Sequence, residues 1–461
     1  MFLEKIRSEG LAHLSYLIGD GNRAAVIDPR RDIDIYVEAA QRNGAQITHV
    51  FETHRNEDYV IGSVELARKT GAEIYHGEHL DFKFGNPVAD GDTFVFGDMR
   101  IKILHTPGHT DESISVALYD TGFGDKPVAI FTGDVLFIGQ VGRTDFYPDR
   151  AREVAGLQYD SIFNTLLPLG DQAILYPAHG AGSICGSGMA SREFSTLGYE
   201  RHFNPALQKN SREAFIDTKV NASTYQPPYF RQMEKFNLEG PPPLDALPRP
   251  LPCSADAFAE LTQNETVVVD LRSPEAFSGA YIPGSYAIPL GMLPGFAGWF
   301  FDYDKDLALV VNSYDEAQKA IRYLVRLGYD RIAGYLDGSL EEWEITGRKY
   351  GQIPSVYAGE IKDRMRKGHA LLDVREIEEW NSGHLEGAIN IYVGELPDHL
   401  DEVPKDRPII TFCGSGRRAI IAASILKQSG FEQVENCLGS MAACKNVGCE
   451  ITISAEESPS Q

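Results

Sequence analysis

One segment of the chain occurs twice: VVVDLRSPEAFSGAYIPGS, beginning at Val267, returns as ALLDVREIEEWNSGHLEGA, beginning at Ala370. Asp270 falls on Asp373, Arg272 on Arg375, Phe277 on Trp380 and Gly284 on Gly387. Each copy then supplies an apolar strand, LALVV at 307–311 and PIITF at 408–412, followed by a helix-like stretch. A duplication of this kind restricts the second half of the chain to two tandem copies of one small α/β module.

Ahead of the repeat the composition breaks. From Leu238 to Pro252 the sequence LEGPPPLDALPRPLP holds six prolines. Proline lacks the amide donor and fixes φ, so this stretch sustains neither a helix nor a central strand and reads as a semi-rigid linker. A second hinge is expected near Gly351 and Pro354. The 461 residues therefore divide into three expected domains, 1–240, 253–350 and 355–455, with a frayed tail after about Glu456.

In the first domain, strand-like runs (AAVIDP, ITHVFET, IKILHTPGHT, ISVALYD, VAIFTGDVLF, AILYPAHG) alternate with helix-like ones (IDIYVEAAQRNG, VIGSVELARKTG). His54 in THRNEDY, His109 in TPGHT, Asp134 in FTGDVLF and His179 in YPAHG each follow a strand-like run, the place where α/β folds gather their chemistry. Two imidazoles and one carboxylate form a facial triad that leaves positions open on Fe(II), whereas a nitrogen-rich set of four favours zinc.

On these residues the segment 1–240 resembles the metallo-β-lactamase superfamily, which implies an αββα sandwich followed here by two small α/β domains. Hydrolytic members carry T-H-x-H-x-D-H for two adjacent metals, and this chain reads Thr53-His54-Arg55-Asn56-Glu57-Asp58-Tyr59. Asn56 and Tyr59 replace two histidines, and a neutral phenol with a pKa near ~10 is a poor ligand. The remaining His54, His109 and Asp134 match the positions at which persulfide dioxygenases of this superfamily hold a single iron. The resemblance implies one Fe(II) per chain and no organic cofactor. It places GRTDF, Gly142 to Phe146, beside the substrate, with Arg143 offering its donors to a carboxylate or sulfur oxyanion. His179 is expected to hydrogen-bond behind the ligands, Asp58 to be a stranded second-metal ligand orienting His54 or its loop, and Tyr59 to lie near the substrate. Gly180 and Ala181 stand where glutathione-using relatives have Asp-Tyr, which leaves the carrier thiol open. Cys185, in the loop GSICGSG, is a further candidate for sulfur relay.

The sequence ITFCGSGRRA places Cys413 after a buried strand and before a helix. Glycine-rich backbone at a helix amino end forms a nest of N–H groups that favours a thiolate, with Arg417 or Arg418 adding positive charge. Residues 355–455 resemble rhodanese domains in this Cys-x-x-Gly-x-Arg pattern and in Asp373-Val374-Arg375. In the first copy Ser313 stands at the nucleophile position, followed by Tyr314, Asp315 and Glu316, so that copy is similar to a pseudo-rhodanese with a packing or spacing role.

The resemblances imply a low-molecular-weight persulfide and dioxygen as substrates, with sulfite or thiosulfate as product or co-substrate. A thioester hydrolase similar to glyoxalase II (hydroxyacylglutathione hydrolase) and a persulfide-binding sensor or scaffold are the alternatives. The excess of 66 acidic over 43 basic residues, a formal charge of −23, opposes nucleic acid and anionic membranes as partners. Six sparse cysteines and the absence of a long apolar run fit the cytoplasm, and the sequence leaves room for a homo-oligomer.

Overall fold

The computed structural model describes residues 1–183, 188–209, 211–222, 225–263, 265–338 and 340–453. They form two compact units, Met1–Leu247 with Val325–Gly328, and Pro248–Leu324 with Tyr329–Gln461.

The first unit is an αββα sandwich. One sheet contains β1 (Phe2–Ser8), β2 (His13–Asp20), β3 (Arg23–Ile27), β4 (Gln46–Phe51), β5 (Glu73–Gly77) and β6 (Asn86–Val88), paired in that order. The other contains β7 (Thr93–Phe96), β8 (Met99–His105), β9 (Ile114–Asp120), β10 (Ala129–Gly133) and β11 (Ile174–Pro177). β1 to β3 are antiparallel, and β3 to β6 run parallel, as do β10 and β11. Period-2 alternation along these strands builds the layers. In β8, Met99, Ile101 and Ile103 face inward and meet Tyr16, Ile18, Phe51 and Phe131 between the sheets. Each such side chain, once fully buried, contributes about 1.5–3 kcal/mol.

The outer faces are covered by helices. Tyr36, Ala39 and Ala40 of the helix Asp34–Arg42 pack with Leu17, Val26 and Val50 on one side. Ile162, Leu166, Leu197 and Phe215 pack with Ala117, Ile130 and Leu175 on the other. Only the loops at the strand ends are left to carry polar chemistry.

In the second unit the sequence repeat becomes a structural one. β12 (Pro252–Cys253), β13 (Val267–Asp270), β14 (Tyr286–Ala287), β15 (Leu307–Val310) and β16 (Ile332–Leu336) form a parallel sheet in the order β12-β16-β15-β13-β14. β17 (Ser355–Val356), β18 (Ala370–Asp373), β19 (Ile389–Asn390), β20 (Ile409–Phe412) and β21 (Val434–Cys437) repeat that order as β17-β21-β20-β18-β19. Pro252, at the end of the proline-rich stretch, opens an edge strand, where a missing amide donor does least harm.

The repeated Asp-x-Arg is a buried brace in both copies. Arg272 Nε donates to Asp270 Oδ1 at 2.9 Å and its Nη2 to the Ala280 carbonyl at 2.7 Å. Arg375 Nε donates to Asp373 Oδ1 at 2.9 Å and its Nη2 to the Gly383 carbonyl at 2.9 Å. Each guanidinium thus ties a strand end to the helix that follows, with charge and donors satisfied inside the fold.

The helix Arg417–Gln428, which follows Cys413, is buried without interruption from Ala419 to Leu426. Besides its own sheet it packs on β14 of the first copy, where Ser424 Oγ accepts the Ala287 amide at 3.0 Å. The first copy is thereby a structural support for the helix behind the cysteine loop.

Candidate metal centre and sulfur-transfer loop

The polypeptide brings His54, His109 and Asp134 together at the ends of β4, β8 and β10. One donor atom from each lies within 4.8 Å of the others, and all three residues are buried. Asp134 Oδ2 is 3.8 Å from both His54 Nε2 and His109 Nε2. Local sequence permits this approach. Gly133 sits at φ +52°, where a Cβ would lie 2.6 Å from Thr53 Oγ1, and a Cβ at Gly142 would meet the Asp134 carbonyl oxygen at 1.7 Å.

The far side of each ring is fixed. His109 Nδ1 donates to the Arg143 carbonyl at 2.9 Å. Thr53 Oγ1 donates to Asp28 Oδ2 at 2.8 Å, so it accepts from His54 Nδ1 at 2.9 Å. Both Nε2 atoms therefore face the centre: that of His54 has no hydrogen-bond partner among the described residues, and that of His109 meets Glu57 Oε1 at 3.2 Å, where, against burial, Glu57 and Asp134 hold the ring up at about 9. Buried imidazole nitrogens oriented from behind fit a metal ion. Burial holds His54 down at about 4, which keeps its ring neutral and ready to ligate.

His179 and Asp58 stand one step back. His179 Nδ1 donates to Asp134 at 2.8 Å, and its Nε2 faces Asp58 Oδ2 at 3.0 Å. Burial would push this ring down, yet the two carboxylates override it and hold His179 well above the usual imidazole range. Asp58 thus meets His179, which in turn holds Asp134. Replacing His179 with asparagine should weaken metal binding by about 10–100-fold, the usual effect of removing a group behind a ligand, with the fold retained. Chelator competition against the parent protein measures this, and unchanged affinity would remove His179 from the site.

The other expected residues are distributed as follows. Tyr59 is fully buried, its ring 4.1 Å from that of His13, and its hydroxyl has no partner among the described residues. The donors expected of Arg143 are engaged within the fold, Nε to Asp145 Oδ1 at 2.7 Å and Nη2 to Oδ2 at 2.5 Å, with the guanidinium over Phe146 and Phe230. What it presents to the centre is its carbonyl, through His109. Cys185 lies outside the described residues. Glu57 was not singled out from the sequence, yet it is buried and places Oε1 3.2 Å from His109 Nε2 and Oε2 3.9 Å from His54 Nε2.

In the second unit Cys413 is buried directly after β20. The Gly416 amide donates to its Sγ at 3.0 Å, and its own amide donates to Ser440 Oγ at 3.1 Å. Gly416, at φ +91°, turns that amide inward. The arginines divide. Arg417 is exposed, and Arg418 is clasped by Glu379, Nη1 to Oε2 at 2.5 Å and Nη2 to Oε1 at 2.7 Å, so much of its charge is met by a carboxylate. Glu379 comes from the helix Ile377–Asn381, too distant in sequence to be paired with Arg418 by spacing. In the first copy Ser313 Oγ accepts the Glu316 amide at 3.3 Å, and Glu316 accepts the Asn312 amide at 2.9 Å. Strand register pairs Asp270 with Val310 and Asp373 with Phe412, so Val311, and not the Ser313 expected from the sequence, stands where the other copy has Cys413, and Ser313 caps the helix that follows.

A metallo-beta-lactamase superfamily model matches residues 9–179, and a rhodanese-like domain model matches twice, at 254–346 and 357–446. A solved metallo-beta-lactamase from Staphylococcus aureus is 34% identical, with a TM-score of 0.66, over 73% of this chain and 99% of that one. The chain belongs to the metallo-β-lactamase superfamily, with two rhodanese-like domains following its sandwich. Two curated relatives resemble the first unit to similar degrees. Persulfide dioxygenase ETHE1 of Bos taurus is 27% identical across 52% of this chain and 83% of its own length. Hydroxyacylglutathione hydrolase GloC of Haemophilus influenzae is 29% identical across 43% of this chain and 93% of its own length. No helix among the described residues is long and apolar enough to cross a membrane.

Proposed function

We propose that the first unit oxidises a low-molecular-weight thiol persulfide to sulfite and that the last module transfers sulfane sulfur through Cys413. One observation carries this reading. Among the described residues the one group of donor atoms lying within 4.8 Å of one another is His54, His109 and Asp134, with Asn56 and Tyr59 where a second ion would need histidines. A ferrous ion held there would supply open positions for dioxygen and a sulfur ligand.

The surrounding residues hold those three donors in place: Thr53 and the Arg143 carbonyl orient the rings, and His179 orients the carboxylate. Persulfide, dioxygen and water would yield thiol, sulfite and two protons, the outer sulfur being oxidised and oxygen reduced. In the rhodanese step the Cys413 thiolate attacks the outer sulfur of a persulfide, the sulfur–sulfur bond breaks, and the parent thiol leaves with the proton. Sulfite then takes the sulfur from Cys413 as thiosulfate, returning the thiolate without net redox change. The five free thiols among the described residues suit a reducing compartment, the cytoplasm.

The kinship with GloC favours a second reading, thioester hydrolysis. Anaerobic purification, metal analysis and an oxygen electrode separate the two. One iron per chain and oxygen uptake matched by sulfite, across persulfides of several small thiols, are expected. Two metal ions per chain with hydrolysis of a glutathione thioester and no oxygen uptake would establish the alternative, and saturable persulfide binding without turnover would mark a sensor.

A further inference from the structure

We propose that Glu57 is a fourth metal ligand, closing one of the positions that His54, His109 and Asp134 leave open. This rests on the single-ion reading above and extends it to a residue that the superfamily motif does not assign.

The first argument is placement. Glu57 is 2% exposed, and its two oxygens face the two ligand nitrogens, Oε1 at 3.2 Å from His109 Nε2 and Oε2 at 3.9 Å from His54 Nε2. Among the described residues His54 Nε2 has no hydrogen-bond partner. This carboxylate is charge-paired with His109 across 3.2 Å, and a metal ion shared with that ring would offset its desolvation.

The second is the backbone. Asn56 lies at φ +49° and is held there by its own Nδ2, which donates to the His54 carbonyl at 3.0 Å, and by Asn237, which donates to the Asn56 carbonyl at 2.6 Å. This left-handed step sends two successive acids to different tasks, Glu57 to the ligand nitrogens and Asp58 to His179.

The third is charge. With neutral histidines, Asp134 alone would leave a divalent ion with net positive charge in a site from which water is excluded, while Asp134 and Glu57 together neutralise it. Asp58 faces His179 instead, its Oδ2 lying 3.0 Å from that ring's Nε2. A six-coordinate ion with four protein ligands keeps two open positions, as many as dioxygen and one persulfide sulfur require.

Cobalt(II) as a probe tests this in the full chain without turnover. Glu57→Gln keeps the shape and removes the anion. It should weaken cobalt binding in chelator competition by at least ~10-fold and change the visible spectrum of the cobalt protein, with Glu57→Asp recovering part of both. His54→Ala is the control for the site itself. If His54→Ala loses cobalt while Glu57→Gln binds it with parent affinity and spectrum, Glu57 is not a ligand although the triad stands. If His54→Ala also binds normally, the triad reading has failed. Thermal unfolding of the metal-free variants identifies a misfolded Glu57→Gln, in which case Glu57→Asp decides: a parent-like cobalt spectrum there supports ligation, and affinity no better than that of Glu57→Ala overturns it.

Discussion

Replacing His54 with alanine is expected to empty the metal site and abolish oxygen uptake while leaving sulfur transfer at Cys413 intact. His54 Nε2 is buried with no hydrogen-bond partner among the described residues, and its ring is fixed from behind through Thr53 and Asp28, so the scaffold around the missing imidazole should persist. Loss of a ligand should exceed the ~100-fold that removal of a group behind a ligand can cause, which takes metal content well below one ion per chain. Persulfide-dependent oxygen consumption should then fall to background. Cys413 belongs to the other compact unit, so a thiosulfate sulfurtransferase assay serves as internal control. Retention of a full ion and of oxygen uptake would mean that other residues bind the metal.

The extent to which sequence revealed this centre follows from how each residue is placed. His54, His109, Asp134 and His179 were legible because each follows an apolar run whose periodicity marks a strand, and strand ends converge in a layered α/β fold. The repeated modules were legible from the duplicated segment itself, and the sandwich through the family resemblance that these residues carry. Glu57 was not, because its role depends on a positive φ at Asn56, which residue type alone does not dictate. The Asp58–His179 pair joins positions 121 residues apart, and the Glu379–Arg418 clasp joins positions 39 apart, across elements that no local pattern relates. β1 was also missed. Its Lys5 and Arg7 interrupt the apolar pattern and are answered by Glu193, a partner supplied by a remote loop.

Changing Cys413 to serine should abolish persulfide loading and thiosulfate formation or use, with oxygen uptake unchanged. The cause is chemical rather than structural. A serine hydroxyl can still accept the Gly416 amide, and the contacts from the residue 413 amide to Ser440 Oγ and from the Met441 amide to the residue 413 carbonyl do not involve the side chain. The hydroxyl cannot hold sulfane sulfur. No second module compensates, since Ser313 caps its helix and Glu316 fills the adjoining amide site. Intact-protein mass spectrometry after persulfide treatment should show one added sulfur on the parent rhodanese module and none on Cys413→Ser. Loss of oxygen uptake together with sulfur transfer would couple the two sites into one mechanism. Sulfur transfer surviving in the variant would assign the chemistry to another thiol, and because burial raises Cys437 to about 11 and holds Cys444 well above the usual thiol range, the search would turn to the remaining cysteines.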